Sequence, residues 1–198
     1  MFYEPSKANH GLPHDPFKAL VAPRPIGWIG SYDEDKSPNL APYSFFNAVS
    51  ASPPIICFAS QGYKDSVENI DQTGAFSHNL AVWDLKDAMN ASSAGVARDV
   101  NEFDLAKLSE KQCELVDAPY VAESPAIMEC VHLETKRVND RHGNQTECYL
   151  VFGEVVGVRI DERVIVDGLV DPRLLRPIAR MGYMDYSLGD DPFILGRP

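Results

Sequence analysis

The sequence predicts a mainly β fold, a barrel-like sheet with a few short helices inserted between its strands. Two long β-prone runs, Ala126 to Val138 and Glu147 to Ile160, flank a turn-rich stretch from Asn139 to Asn144, which predicts a long hairpin. The second run is apolar on both faces. Such a strand is expected where a sheet closes into a barrel and is then covered by helices or by a partner subunit. The helical patterns between the β-prone runs are all short.

The earlier elements follow in order. Prolines and glycines interrupt residues 1–16, which predicts an extended arm there and a folded domain over 17–198. Pro25 to Ser31 predicts a strand, and the polar stretch Asp33 to Asn39 predicts the turn of a hairpin. Two further β-prone runs, Tyr43 to Val49 and Ile55 to Ala59, are separated by a break at Ser52-Pro53-Pro54 that we expect to be exposed.

A helix is predicted after Lys64. Asp65 precedes apolar positions three apart and has a glutamate three residues later, which indicates that Asp65 caps the helix, and Gly74 ends it. The elements predicted next are a strand from Ala75 to Val82 and helical stretches around Leu85 to Ala91 and Glu102 to Leu108.

Composition and charge limit the function classes. Of the 198 residues, 44% are hydrophobic and 24% are charged, which favours one core and one domain. The net charge of −11 opposes a general attraction to nucleic acids or anionic lipids. No apolar run reaches the length of a membrane span, and the N-terminus has no signal-peptide pattern. We therefore expect a cytoplasmic protein that binds neither nucleic acid nor membrane, and in which any anionic ligand is held by local cations.

The cysteines and histidines predict no metal site. The four cysteines form no C-x-x-C pair, so reduced thiols are expected. His10 and His14 are four residues apart, but they lie in a segment rich in glycine and proline where a helix is not expected. We interpret this pair as solvent-facing.

The block from Pro23 to Ser66 is the most informative part of the sequence. It combines a backbone punctuated by prolines with small hydroxyl residues, the aromatic pair Phe45 and Phe46, and Lys64 at a helix start. These features suit a planar cofactor that carries a phosphate.

In this block and beyond it, the sequence resembles the flavin reductase-like family with the FMN-binding split-barrel fold, which includes flavoredoxin-type proteins and reductase partners of two-component monooxygenases. The matching segments follow one another over most of the chain: Arg24-Pro25, Gly27 to Ser31, Asn39 to Asn47, Pro53-Pro54, Lys64 to Ser66, Asn69-Ile70, Phe76, Asn79, Glu129-Cys130, Gly153 to Val156 and Arg180 to Gly182. The resemblance implies FMN as cofactor, NADH or NADPH as a transient reductant, a homodimer with the flavin near the interface, and an electron-accepting protein as a further candidate partner.

The resemblance also implies the cofactor-binding residues. The segment that matches Ser44 to Ser50 wraps the flavin ring in the family, and the segment that matches Ser60 to Ser66 is the phosphate end. The complete set implied is Arg24, Ser31, Ser44, Phe45, Phe46, Asn47, Ala48, Ser50, Ser60, Lys64, Ser66, Asn79 and Arg180.

Several of these residues have an alternative interpretation. Adjacent strand residues point to opposite faces, so one of Phe45 and Phe46 is expected in the core and the other beside the flavin. Lys64 could be a solvated surface lysine. Arg24 could clamp the following turn or form a structural ion pair, and Asn79 could bind the backbone instead of the ribityl chain.

At the C-terminal motif, Tyr183 stands where many relatives carry a second glycine after Gly182. The resemblance therefore does not define the shape of the nicotinamide-side pocket in this chain. The sequence also contains no G-x-G-x-x-G motif after a strand, so no Rossmann domain is predicted and nucleotide binding is expected to be weak or transient.

The leading functional hypothesis is an NAD(P)H-dependent flavin reductase. Hydride transfer to flavin requires no general acid and no covalent nucleophile, so no catalytic residue is named. The alternatives are a non-enzymatic FMN-binding carrier or electron-transfer protein, and a cofactor-free or haem-binding protein on the same fold.

Overall fold

The computed structural model describes residues 1–197, in which short helices are inserted between many strands. The strands are Arg24–Pro25 (β1), Gly27–Tyr32 (β2), Pro38–Tyr43 (β3), Phe46–Ala51 (β4), Pro54–Gln61 (β5), Ala75–Leu80 (β6), Glu110–Gln112 (β7), Pro119–Val121 (β8), Ala126–Asn139 (β9), Gln145–Ile160 (β10), Ile165–Val166 (β11), Leu169–Val170 (β12), Ile178–Arg180 (β13) and Tyr186–Leu188 (β14). The α-helices are Phe17–Leu20 (α1), Asp65–Thr73 (α2), Lys86–Ala91 (α3), Glu102–Ala106 (α4) and Pro172–Leu175 (α5), and 3-10 turns cover Pro5–Lys7, Trp83–Leu85 and Glu162–Val164.

A seven-stranded sheet forms most of the structure and confirms the mainly β prediction. Its strand order is β3-β2-β6-β9-β10-β5-β4, and all neighbours are antiparallel. The predicted hairpins β2–β3 and β9–β10 are both present. In the turn of the second hairpin, the main-chain N–H of Asn144 donates to the carboxylate of Asp140 at 2.9 Å, which is the local bond that makes aspartate a good turn residue.

The sheet curls so that its two ends approach each other around one core. Tyr43 near one end and Phe58 near the other have ring centroids 4.6 Å apart. Helix α2 contributes Val67 and Ile70 to the same core. The buried core residues are Ile29, Tyr43, Ile56, Phe58, Val67, Ile70, Phe76, Cys130 and Val151. Removal of these apolar side chains from water stabilises the curled sheet.

Helix α2 begins and ends where the sequence predicts, but its cap differs. Gly74 follows the helix with φ of +74°, a left-handed conformation that suits glycine at this position. The cap position is Lys64 rather than Asp65, and Lys64 makes no side-chain capping bond. The Asp65 carboxylate instead accepts a hydrogen bond from Arg98 at 3.1 Å. The prediction that Asp65 caps the helix is therefore wrong, because a distant arginine binds its carboxylate.

The run from Tyr43 to Val49 is not one strand. β3 ends at Tyr43 and β4 begins at Phe46. At the bend between them, the carbonyl of Phe45 accepts a hydrogen bond from the main chain of Ala59 at 2.8 Å. The chain therefore turns at Ser44 and Phe45 and crosses from one end of the sheet to the other.

Strand β10 is not covered along its whole length. Val151 is fully buried, but Val156 and Val158 are 41% and 59% exposed. β5 pairs with β10 only as far as Glu154, and beyond this point β9 is the one strand within residues 1–197 that flanks β10. No helix of this part of the chain therefore covers this half of the strand fully, and its coverage by a partner subunit, the other possibility expected from the sequence, stays a prediction.

A second, three-stranded sheet joins the two ends of the folded region. Its order is β1-β13-β14, and Arg24 of β1 lies opposite Arg180 of β13. Residues 1–16 carry one 3-10 turn and α1 starts at Phe17, and the division into arm and domain at this point stays a prediction. None of the helices in residues 1–197 is both long enough and apolar enough to cross a membrane.

Candidate functional site

One group of the predicted residues lines a surface cleft of about 540 Å³, which we call the Phe45 cleft. The segment from Leu20 to Pro25 forms one wall, and the bend from Ser44 to Asn47 forms the other. Cys57 and Ala59 of β5 lie between them, together with Leu150 of β10. Arg24 and the residues Ser44 to Asn47, all of which the sequence predicts to bind the cofactor, therefore lie together.

Arg24 places a buried positive charge in the wall of this cleft. Its Nη1 donates to the carbonyls of Lys18 at 2.5 Å and of Val21, and its Nη2 donates to the carbonyl of Met181 at 2.8 Å. Arg24 therefore clamps the preceding segment and the C-terminal segment rather than the following turn, and its acceptors are main-chain carbonyls rather than the carboxylate of an ion pair. Its Nε is buried without a partner.

The surroundings of Arg24 disfavour the positive charge of its guanidinium. Burial lowers the pKa of the guanidinium, and the positive charge of Arg180 lowers it further. An arginine remains protonated at neutral pH despite such a shift. A bound anion or an electron-rich group in the cleft would therefore be stabilised by a charge that no carboxylate of the described chain neutralises.

The two phenylalanines occupy different environments, although both reach the cleft. Phe46 packs against the main core and stacks on His78, with ring centroids 4.5 Å apart and ring planes 6° apart. Phe45 lies beside Arg24, whose guanidinium carbon is 5.7 Å from the ring centroid. Phe46 therefore packs on the core at the edge where cleft and core meet, as expected for one of the pair, and the position of Phe45 beside the flavin stays a prediction.

Phe46 takes this position because Gly27 leaves room for it. A Cβ at Gly27 would lie 2.6 Å from Cδ2 of Phe46. Gly27 belongs to the segments that carry the family resemblance. A glycine is needed at this position because an aromatic ring approaches the backbone closely.

Ala48 and Ser50 do not line the Phe45 cleft. Ala48 lines a separate apolar cavity. Ser50 lies beyond a bulge in the β4–β5 pairing, opposite Ile55. In the single chain these two residues therefore do not line the cleft that Ser44, Phe45 and Asn47 line.

The predicted phosphate residues lie near a second, polar cavity of about 370 Å³ that Lys64 and Ser66 line. Lys64 is exposed, and the neighbouring acids Asp65 and Glu68 pair with Arg98 instead. Ser66 is buried and accepts a hydrogen bond from the Asn39 amide at 2.8 Å. Lys64 therefore brings a cationic side chain to the surface here, whereas the Ser66 hydroxyl is buried and already hydrogen-bonded.

Ser60 is fully buried, and its hydroxyl donates to the carbonyl of Gly62 at 2.8 Å. It therefore shapes the loop that leads to Lys64. Glu102 adds a carboxylate to the wall of the polar cavity, and burial raises the pKa of this group.

Ser31 and Asn79 are part of the interior. Both are fully buried. The Asn79 amide nitrogen donates to the carbonyl of Trp28 at 3.1 Å, and its oxygen accepts from the main chain of Val121 at 2.8 Å. Asn79 therefore follows its alternative interpretation, in which it binds the backbone. Ser31 contacts the amide of Asn69 at 3.4 Å and has no exposed surface for a ligand.

Arg180 lies beside Arg24 and is fixed by the C-terminal segment. Its Nη1 donates to the Tyr186 hydroxyl at 2.6 Å, and its Nη2 donates to the Tyr183 carbonyl at 2.6 Å. Tyr183 has φ of +55°, a left-handed conformation that glycine adopts without cost. The backbone here therefore has the form that a second glycine would favour, although this chain carries a tyrosine.

Sequence reasoning missed His78, which is buried between the barrel and the C-terminal segment. Burial lowers its pKa to about 4. The one available signal was its place in the middle of a predicted strand.

Within residues 1–197, no group of three or more His, Cys, Asp or Glu side chains is arranged to hold a metal ion.

Comparisons with known proteins identify relatives. The family model for a flavin reductase like domain matches residues 20–173. An uncharacterized protein of Deinococcus radiodurans is 32% identical over 192 residues, which cover 90% of this chain and 82% of the relative. The crystal structure of nitrilotriacetate monooxygenase component B from Bacillus cereus is 28% identical, covers 98% of each chain and has a TM-score of 0.88.

A third relative supports the fold. A Shewanella frigidimarina protein, described as a flavin reductase candidate with a split barrel domain, is 23% identical over 100% of each chain and has a TM-score of 0.86. At this identity the likeness concerns the fold alone. The split-barrel fold expected from the sequence is confirmed.

Proposed function

Because the chain belongs to the flavin reductase-like family, we propose that it is an FMN-binding oxidoreductase that takes hydride from NADH or NADPH and passes the electrons to an acceptor. The observation that carries this proposal is Arg24 in the wall of the Phe45 cleft, a buried cation without a carboxylate partner. In a protein of net charge −11, such a site attracts an electron-rich ligand locally.

The residues of the Phe45 cleft fit an isoalloxazine ring. The aromatic ring of Phe45 offers an apolar contact, and the Ser44 hydroxyl and Asn47 amide offer hydrogen bonds to a polar edge. The flavin, when bound, accepts the hydride at its N5 atom. The positive charge of Arg24 favours a ring that has gained electrons, and the wall from Leu20 to Pro25 limits the access of water.

Lys64 is the proposed partner of the FMN phosphate. It follows β5, the strand that supplies Cys57 and Ala59 to the cleft, and its side chain is exposed. An ammonium group that binds a phosphate forms a charge-assisted hydrogen bond, which is stronger than a neutral one.

We also propose that the protein is a homodimer. The uncovered half of β10 exposes Val156 and Val158, and β9 exposes Val131 and Leu133 opposite the half of β10 that pairs with β5. A second copy of the chain would cover apolar side chains of these two strands. Sedimentation that gives only the mass of one chain at micromolar concentration would contradict this.

The proposed activity is tested with purified, FMN-loaded protein under anaerobic conditions. Bleaching of the flavin absorbance by NADH or NADPH is expected. Binding of FMN without bleaching by either nucleotide would favour a non-enzymatic carrier or electron-transfer protein. A colourless preparation that does not quench the fluorescence of added FMN at micromolar concentration would contradict both functions.

Lys64→Ala is expected to weaken the binding of FMN about tenfold and to leave riboflavin binding nearly unchanged, because only FMN carries a phosphate. Fluorescence titration with both flavins measures the two affinities. Lys111→Ala is the matched control, since Lys111 is an exposed lysine on β7 far along the chain from this loop. Equal losses for FMN and riboflavin in Lys64→Ala would remove Lys64 from the phosphate site.

A further inference from the structure

Arg98 lies in the segment between α3 and α4, and its guanidinium reaches across to helix α2. Its Nη1 donates to the carboxylates of Asp65, at 3.1 Å, and of Glu68, and its Nη2 donates to the side-chain oxygen of Asn69 at 3.1 Å. Asn69 is buried, which fixes the place of the third acceptor. A single exposed ion pair contributes little to stability, but here one forked side chain binds three acceptors on one helix. Arg98 therefore holds both carboxylates in a defined place.

These two carboxylates are also the nearest acidic neighbours of Lys64 along the chain. Asp65 is the next residue, and Glu68 lies one helical turn later, where its main-chain N–H donates to the carbonyl of Lys64 at 3.0 Å. Side chains four residues apart are neighbours on the surface of a helix, and opposite charges at this spacing attract each other. No ion pair of residues 1–197 includes Lys64, because Arg98 binds the two acids.

The availability of Lys64 decides the charge of the polar cavity that this residue lines. Residues 92–96, just before Arg98, form part of the wall of this cavity, and Asp65 and Glu102 also line it. Lys64 is the single cation among the lining residues. If the Lys64 ammonium paired with Glu68, no lining cation would remain free for an anionic group.

We propose that Arg98 is a positioning residue for the FMN phosphate, which holds Asp65 and Glu68 so that the ammonium of Lys64 stays free. This inference rests on the proposed function, in which Lys64 binds that phosphate. Both terminal nitrogens of Arg98 already donate to α2, so Arg98 acts through Lys64 rather than on the phosphate. An arginine with a merely structural role would affect FMN and riboflavin alike, whereas this role concerns only the flavin that carries a phosphate.

Arg98→Gln is expected to weaken FMN binding about fivefold and to leave riboflavin binding nearly unchanged, because Glu68 then pairs with Lys64. Fluorescence titration with both flavins measures the affinities, and riboflavin binding shows that the variant is folded. Arg173→Gln is the matched control, since Arg173 is also exposed and pairs with Asp171 at 3.0 Å, in another part of the chain. Equal losses of FMN and riboflavin affinity in Arg98→Gln, or no loss of either, would overturn the inference.

Two combined variants separate this role from a general loss of positive charge. Arg98→Gln with Asp65→Asn and Glu68→Gln lacks the competing carboxylates, and its FMN affinity is expected to return to within about twofold of that of the unaltered protein. Arg98→Gln added to Lys64→Ala is expected to weaken FMN binding by less than about twofold, because Arg98 acts through Lys64. No recovery in the first variant, or a full additional loss in the second, would refute the role of Arg98.

The failure of this inference differs from the failure of the proposed phosphate site. A selective loss of FMN affinity in Lys64→Ala, with none in Arg98→Gln, would refute the role of Arg98 alone. Equal losses of the two flavins in Lys64→Ala would contradict the phosphate site and with it this inference.

Discussion

Gly30→Ala is expected to lower the free energy of unfolding by about 3 kcal/mol. Gly30 lies in the middle of β2, where a Cβ would be 2.4 Å from the main-chain oxygen of Pro119 and 2.7 Å from Oγ of Ser77. That hydroxyl already donates to the Pro119 oxygen at 2.5 Å. The added methyl group therefore meets backbone and a bonded side chain, neither of which can move without the loss of an interaction. Urea unfolding followed by circular dichroism measures the change.

Gly95→Ala is the matched control for this substitution. No atom lies within 4 Å of a Cβ at Gly95, and its backbone is not in the left-handed region. Its unfolding free energy is expected to stay within about 0.5 kcal/mol of that of the unaltered protein. If the two variants were equally stable, the close approach of β2 to Pro119 would not hold in solution.

Arg24→Gln is expected to weaken FMN binding about 100-fold. The substitution removes the buried positive charge from the Phe45 cleft and the three hydrogen bonds of the guanidinium to the carbonyls of Lys18, Val21 and Met181. Loss of a hydrogen bond to a charged group costs roughly 1.5–3 kcal/mol, which corresponds to about one to two powers of ten in affinity. The FMN fluorescence titration used for Lys64 measures this loss.

Two variants separate charge from folding in this prediction. Arg24→Lys keeps the charge but not the forked geometry, so an intermediate loss is expected. Arg180→Gln removes the neighbouring, more exposed charge, and a loss of only about threefold is expected because solvent screens that group. A folded Arg24→Gln protein that binds FMN with unaltered affinity would contradict the proposed role of Arg24. The stability loss predicted for Gly30→Ala does not depend on that result.

Most local structure could be predicted because its signals lie close together in the chain. Gly74 ends α2 through its own backbone conformation, and Asp140 forms the β9–β10 turn through bonds to residues two and four positions later. The alternation of apolar residues predicts strands for the same reason. The ordered motifs from Arg24 to Gly182 add the family and, with it, the split barrel.

The composition of the site could not be predicted in this way, because each role depends on residues far apart in the sequence. The side-chain oxygen of Asn79 accepts a hydrogen bond from the main chain of Val121, which lies 42 residues later. Arg24 donates a hydrogen bond to the carbonyl of Met181, which lies 157 residues later. The sequence by itself determined the longer strands and helices, the family, and Arg24 and Ser44 to Asn47 as residues of one site. Only the tertiary structure decided which side chains remain free for a ligand, since burial and hydrogen-bond partners arise when distant strands pack together.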